Sequence, residues 1–156
     1  MTPQTQPTSQ TLYDRDYALW LETTIEQLRQ KKFDFLDLEN LIEELESMGR
    51  SDRRALESLL TRLFEHLLKL AYWKSERDYN RRGWKGEIRN FRLQIQSLLE
   101  DSPSLKSHLE KIVSKSYNNA RKIMIDITGL DPKTFPTESI ATVDEVLDED
   151  WFPDEQ

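Results

Sequence analysis

Apolar side chains recur every three or four positions along most of the chain, which is the period of an α-helix with one buried face. No segment longer than a turn shows the two-residue alternation of a half-buried strand. We therefore predict an all-α fold, a bundle of about five helices. The five predicted helices cover about residues 14–32, 34 or 37 to 48, 51 or 52 to 73, 84 to 98, and 103 to 128.

The first two predicted helices each carry one apolar stripe, and we expect both stripes to be buried. Asp14 is the expected N-cap of the first helix. Gly49 is expected to end the second helix in a left-handed conformation. The first stripe comprises Tyr17, Trp20 or Leu21, Ile25 and Leu28. The second comprises Leu38, Leu41, Ile42, Leu45 and Met48, with Glu39, Glu43, Glu44 and Glu46 on the opposite, acidic face.

The third helix is apolar around much of its girth, which predicts a central helix packed on more than one side. Gly83 and Gly86 bracket Trp84, so we expect a turn there and the start of the fourth helix. Ser102 as N-cap and Pro103 at the first helical position are expected to open the fifth helix, which should end at Gly129.

The pattern changes after Gly129. Asp131-Pro132 and Phe135-Pro136 favour extended or turn backbone, and residues 134–156 carry eight acids with no Lys or Arg. Regularly placed apolar residues, ending in Trp151-Phe152-Pro153, predict an arm that docks onto the bundle. We thus predict a disordered lead over residues 1–11 and a single helical domain over 12–153, divided into a bundle (12–129) and a C-terminal docking arm (130–153).

Composition narrows the possible chemistry. The chain of 156 residues has a net charge of −7 and no cysteine, which excludes disulfides, thiolate metal sites and a cysteine nucleophile. No apolar run approaches the roughly 20 residues of a membrane span, and residues 1–11 lack the regions of a signal peptide. We expect a cytoplasmic protein with no membrane association and no cofactor. Four glycines in total nearly exclude a phosphate-cradling loop.

One segment, residues 69–92, is basic within this acidic chain. It holds eight Lys or Arg against three acids, interleaved with five aromatic residues. Such a segment suits a nucleic-acid or anion-binding surface, because guanidinium groups contact phosphates and aromatic faces stack on unpaired bases. The alternative is structural: the aromatic residues are core, and the arginines meet acids of their own chain. We favour the structural alternative. The candidate binding residues are Arg77, Arg81, Arg82, Lys85, Arg89 and Arg92.

Two further sets of side chains are candidates for catalysis or metal binding. His66 follows Glu65 directly, but neighbours on a helix point in different directions, and its own face carries Arg62 and Lys69. We expect a structural or hydrogen-bonding role for His66, and an enzyme using it stays an alternative. The acids of residues 34–46 lack the Glu-x-x-His pairs of bundled metal sites, so we predict no metal site and no catalytic residues.

Several phrases of the sequence, taken together and in this order, resemble a known family. They are YDRDYALW (13–20), LDLENLIEELESMGR (36–50), EHLLK (65–69), Trp84 with Arg89 and Arg92, Pro103-Ser104-Leu105, Tyr117 with Ala120-Arg121, and Phe135-Pro136 followed by LDEDWFP (147–153). The resemblance is to domain-of-unknown-function family number 29, found mainly in cyanobacteria and some other bacteria. It covers about residues 12–153 and implies a mostly helical fold. It implies no activity, so no functional residue is carried over.

These observations lead to three functional hypotheses. The first is a non-enzymatic protein-interaction module that binds a protein partner or a second copy, with the 81–92 surface and the acidic face of the second helix as complementary contacts. The second is a nucleic-acid-binding regulator using residues 69–92. The third is an enzyme involving His66. We favour the first, since charge is unevenly distributed and no catalytic constellation converges.

Overall fold

The computed structural model describes residues 11–156, and its regular structure within that range is helical, without a strand. The all-α prediction is confirmed. None of these helices combines the length and apolarity that crossing a bilayer requires. Apart from Thr11, the predicted lead lies outside the described residues. The helices are α1 (Leu12–Arg15), α2 (Tyr17–Arg29), α3 (Leu38–Tyr72), α4 (Lys74–Asp101), α5 (Leu105–Thr128) and α6 (Val143–Leu147), with short 3-10 turns at Phe33–Phe35 and Pro132–Thr134.

The described residues form two compact units, and α3 contributes to both. The first unit ends at Gly49, and the second runs from Arg50 to Gln156. That residues 12–153 act as a single domain stays a prediction.

Hydrogen bonds define the start of α2 and its attachment within the first unit. Asp16, rather than the expected Asp14, caps α2 by accepting the Leu19 N–H at 3.0 Å. The hydroxyls of Tyr13 and Tyr17 donate to the Glu44 carboxylate of α3 at 2.6 and 2.7 Å. These two bonds lower the pKa of Glu44, and the bond to Glu44 raises the pKa of Tyr13 to about 12. Both groups therefore keep the protonation states that favour the contact at neutral pH.

Gly49 does not end a helix. The predicted second and third helices are one continuous helix, α3, of 35 residues, and Gly49 lies inside it. A glycine within a helix costs only about 1 kcal/mol relative to alanine. That cost is smaller than the gain from extending a helix whose later turns are packed into a core, so the stop signal at Gly49 is overridden.

The turn predicted at Gly83 and Gly86 is also absent. Helix α4 begins at Lys74, directly after a break at Trp73, and passes through both glycines. Trp84 is 8% exposed and stacks on Trp73 with ring centroids 5.9 Å apart. Because a continuous helix keeps Trp84 and Ile88 in the core, packing again outweighs the local preference of glycine.

Helix α3 is central to the second unit, as predicted. Its residues from Leu56 onward are buried on several sides, and the buried residues of α4, α5 and the arm share one cluster with them. Ser104, rather than Ser102, precedes α5, while Gly129 ends it at φ 65°, as expected. The fully buried side chains of α3 are Leu56, Leu60, Leu63, Phe64, Leu67 and Leu68.

Residues of the C-terminal arm are part of this core. Phe135 is 1% exposed and Val146 is fully buried. The hydroxyl of Tyr117 in α5 donates to the Pro136 carbonyl at 2.7 Å. Helix α6 starts at a capping box in which the side chains of Thr142 and Glu145 each accept the other's backbone N–H. The arm therefore has its own local structure as well as apolar anchors.

Candidate functional site

Arg92, one of the six predicted binding residues, is buried beneath the C-terminal arm. Its side chain is on α4, and the residue is only 2% exposed. The guanidinium donates to the backbone carbonyls of Val146 (2.8 Å), Trp151 (2.7 Å) and Glu145 (3.1 Å). Burial lowers the pKa of Arg92, and nearby acids of the arm, Asp148 first, act in the opposite direction. Arg92 thus fixes the path of the arm through its backbone.

Arg77 and Arg81 bind residues 155 and 156, which follow the arm. Arg77, 8% exposed, donates to the carbonyls of Ala71 at 2.7 Å and Gln156 at 3.1 Å. Arg81 makes a bidentate contact with the Glu155 carboxylate, at 2.6 Å from Nε and 2.9 Å from Nη2. That hydrogen bonding raises the pKa of Arg81 and lowers the pKa of Glu155. Nη1 of Arg89 lies 3.6 Å from Oε2 of Glu149.

The two remaining cations of the predicted set are exposed. Lys85 lies over the Phe152 ring at 4.8 Å, whereas Arg82 makes no hydrogen bond or ion pair with the part of the chain that the structure describes. Tyr79 is 92% exposed beside Arg82. Trp84 and Phe91 are in the core and do not offer a face to a base. Five of the six predicted residues therefore contact residues 145–156 of their own chain, and their role in binding nucleic acid or anions stays a prediction.

His66 is half-buried and is engaged by its own helix. Its Nδ1 lies 2.8 Å from the Arg62 carbonyl oxygen. Its ring and the Phe91 ring are in an edge-to-face arrangement, with their centroids 5.2 Å apart. Burial is the main cause of a lowered pKa for His66. No carboxylate between residues 11 and 156 hydrogen-bonds to the ring. The arrangement lacks the histidine–carboxylate contact that the enzyme hypothesis requires.

The acids of residues 34–46 are dispersed among separate local contacts. Asp37 caps the start of α3 and accepts the Asn40 side-chain N–H at 2.7 Å, while Glu44 binds the two tyrosines. Over residues 11–156 the structure shows no group of three or more His, Asp or Glu side chains placed to hold a metal ion.

A large set of exposed apolar side chains is the feature that sequence reasoning missed. Both predicted stripes of the first two helices are largely open to solvent, whereas Trp20 and Thr24 are the buried residues of the described part of the first unit. The expectation that the stripes are buried is wrong for Ile42 at 52%, Leu45 at 59% and Met48 at 63% exposure. We call the exposed residues of the two stripes the open apolar surface: Tyr17, Leu21, Ile25, Leu28, Leu38, Ile42, Leu45 and Met48.

The physical reason is that a unit as small as residues 11–49 can bury only a narrow strip of each of its helices. In a full bundle, an apolar arc as wide as these stripes is covered by a third or fourth helix. A separate cavity of about 530 Å³ lies on the opposite side of α2, lined by Leu19 and Phe35, with Glu22, Glu26 and Lys32 among its polar lining. The side chains are exposed because this unit is small. Periodicity alone does not reveal where a compact unit ends, so the exposure could not be predicted from it.

Comparison with known families gives one match. The family described as Domain of unknown function DUF29 matches residues 12–152, nearly the entire chain. Neither curated proteins nor solved structures gave a match.

Proposed function

The chain belongs to the family Domain of unknown function DUF29, whose description assigns no activity, and we propose that this protein is a non-enzymatic protein-interaction module. The open apolar surface of residues 17–48 is its contact surface. The observation that carries the proposal is the exposure of side chains that helical periodicity assigns to a buried face, with Leu45 59% exposed. Exposed apolar patches of this extent mark interaction sites on proteins in water.

The site differs from the contact surfaces expected at first. Arg81 and Arg92 bind residues of their own chain. These two side chains are therefore less available to a partner than the prediction of six binding residues implied. The acidic segment, residues 33–49, remains part of the proposed contact surface, because its acids lie beside the open apolar surface. The proposal therefore combines the predicted acidic helix with an apolar stripe beside it, rather than with the basic segment.

We expect Leu45→Glu to abolish capture of a protein partner from lysate of the host cells. A buried leucine contributes roughly 1.5–3 kcal/mol, and a charge in its place adds a desolvation cost, so captured partner should fall at least about tenfold. Leu93→Glu is the matched control, since Leu93 is a 48% exposed helical leucine of the second unit. The measurement is quantitative mass spectrometry of bound proteins, with and without nuclease.

Equal capture by the wild type, Leu45→Glu and Leu93→Glu would contradict the proposal. Recovery of RNA or DNA instead of a protein would favour the nucleic-acid alternative, in which Arg82 and Lys85 are the exposed cations. In that case binding should weaken steeply with salt, because phosphate contacts release counterions.

A further inference from the structure

We propose that the occupant of the open apolar surface is an amphipathic helix of another protein, with an apolar stripe flanked by Lys or Arg. This inference rests on the proposed function and adds the chemistry of the partner. It follows from three properties of the first unit: the apolar area that it exposes, the helical spacing of the exposed residues, and the sign of the charges beside them.

The exposed area is that of an interaction patch. The side chains of the open apolar surface are 36–63% exposed. A fully exposed aliphatic side chain offers on the order of 100 Å² and an aromatic one about 200 Å², so these eight side chains expose roughly 400–500 Å². The largest apolar patch of a typical monomer is about 300–600 Å², and such patches are often functional.

The spacing suits a helix as the partner. Leu21, Ile25 and Leu28 follow one another at steps of four and three on α2, as do Leu38, Ile42 and Leu45 on α3. A helix whose own apolar residues recur at three and four positions can interdigitate with such a row.

The charges specify a basic partner. Residues 33–49 contain six acids and no Lys or Arg, and exposed Glu39 lies three positions before Ile42, which makes the two neighbours on α3. On α2, exposed Glu22 stands in the same relation to Ile25. Lys or Arg beside the apolar stripe of a bound helix would meet Glu39 and Glu22.

The same charges disfavour two other occupants. A second copy would bring an identical segment of six acids, and like charges placed together across an interface cost free energy. Residues 1–10 contain no aliphatic or aromatic side chain other than Met1, so that segment has too little apolar surface for the task.

The test uses three synthetic helical peptides of equal length. The first has Leu at i, i+3, i+4 and i+7 with Lys at the flanking positions; the second has Glu in place of Lys; the third keeps Lys but has Ser in place of Leu. We expect the full-length protein, monomeric by light scattering, to bind the first peptide and to bind the other two at least about tenfold more weakly in fluorescence anisotropy.

Protein variants locate the binding. Leu45→Glu should lower the affinity for the first peptide at least about tenfold. Glu39→Lys should lower that affinity several-fold and make it less dependent on salt concentration. The matched control is Glu110→Lys, an exposed acid of α5 that should leave binding unchanged. Binding of the Lys/Ser peptide equal to that of the first would show charge attraction alone and overturn the inference, as would equal binding of the Glu-flanked peptide.

The two proposals fail separately. Capture of a lysate protein that depends on Leu45, with no binding of the Lys-flanked peptide, would overturn the partner chemistry and leave the interaction module standing. A wild-type homodimer that Leu45→Glu converts to monomer would identify a second copy as the occupant and also overturn the inference. If Leu45→Glu still captures the lysate protein and still binds the first peptide as the wild type does, both proposals are contradicted.

Discussion

Deletion of residues 137–156 is expected to unfold the remainder of the second unit, residues 50–136, rather than to uncover a basic surface. The arm supplies Ala141 and Val146 to the buried cluster and covers Arg92. Without it, apolar core is exposed and the guanidinium loses its carbonyl partners. The combined loss is comparable to the whole stability of a small domain, about 5–15 kcal/mol. Circular dichroism during urea titration should show no cooperative transition.

The control for this deletion removes charge but keeps packing. In Glu149→Gln/Glu155→Gln the exposed contacts with Arg89 and Arg81 are weakened, while the backbone carbonyls and apolar anchors remain. Exposed ion pairs contribute roughly 0–1 kcal/mol each, so this variant should unfold near the wild-type midpoint. A truncated chain that stays cooperatively folded and binds RNA with a steep salt dependence would show that the arm is a removable cover over a nucleic-acid surface.

Arg92→Ala is expected to lower the free energy of unfolding by about 3–5 kcal/mol. The substitution leaves the carbonyls of Glu145, Val146 and Trp151 without their donor in a buried setting. It also removes a guanidinium that lies 5.7 Å from the centre of the Phe152 ring. Chemical denaturation monitored by tryptophan fluorescence measures the change, since Trp151 and Trp84 lie in this region.

Two variants distinguish geometry from charge at this site. Arg92→Lys keeps the charge but cannot reach three carbonyls with a planar fork, so it should lose about 1–3 kcal/mol. Arg82→Ala, ten positions earlier on α4 and exposed, should change stability by less than about 0.5 kcal/mol. An Arg92→Ala protein as stable as Arg82→Ala would show that the arm is not held by these bonds.

The sequence predicted the all-α fold with its proline-punctuated C-terminal arm because both rest on strong, redundant signals. Helical periodicity extends over many turns, and the proline and apolar pattern after Gly129 marks a segment that is neither helix nor solvated tail. Single glycines were weaker guides. At Gly49 and Gly86 a local preference worth about 1 kcal/mol lost to continuous helical hydrogen bonding and to core packing.

The candidate site was less predictable for a different reason. Periodicity tells that Ile42 and Leu45 share an apolar face, but not whether anything covers that face; this depends on how many helices the unit contains. Charge composition likewise indicated that Arg81 and Arg92 belong to a basic segment, but not which hydrogen-bond acceptors they contact. Arg92 binds backbone carbonyls, which leave no trace in the side-chain sequence.

The most direct test of the central claim is the accessibility of residue 42 in the purified protein. The chain has no cysteine, so a single thiol can be placed at will. Ile42→Cys, Leu93→Cys as the exposed reference and Leu60→Cys as the fully buried reference would each be reacted with a thiol reagent under native conditions. We predict that Ile42→Cys reacts at a rate comparable to Leu93→Cys. A rate as slow as that of Leu60→Cys, where reaction requires opening of the fold, would contradict an open apolar surface.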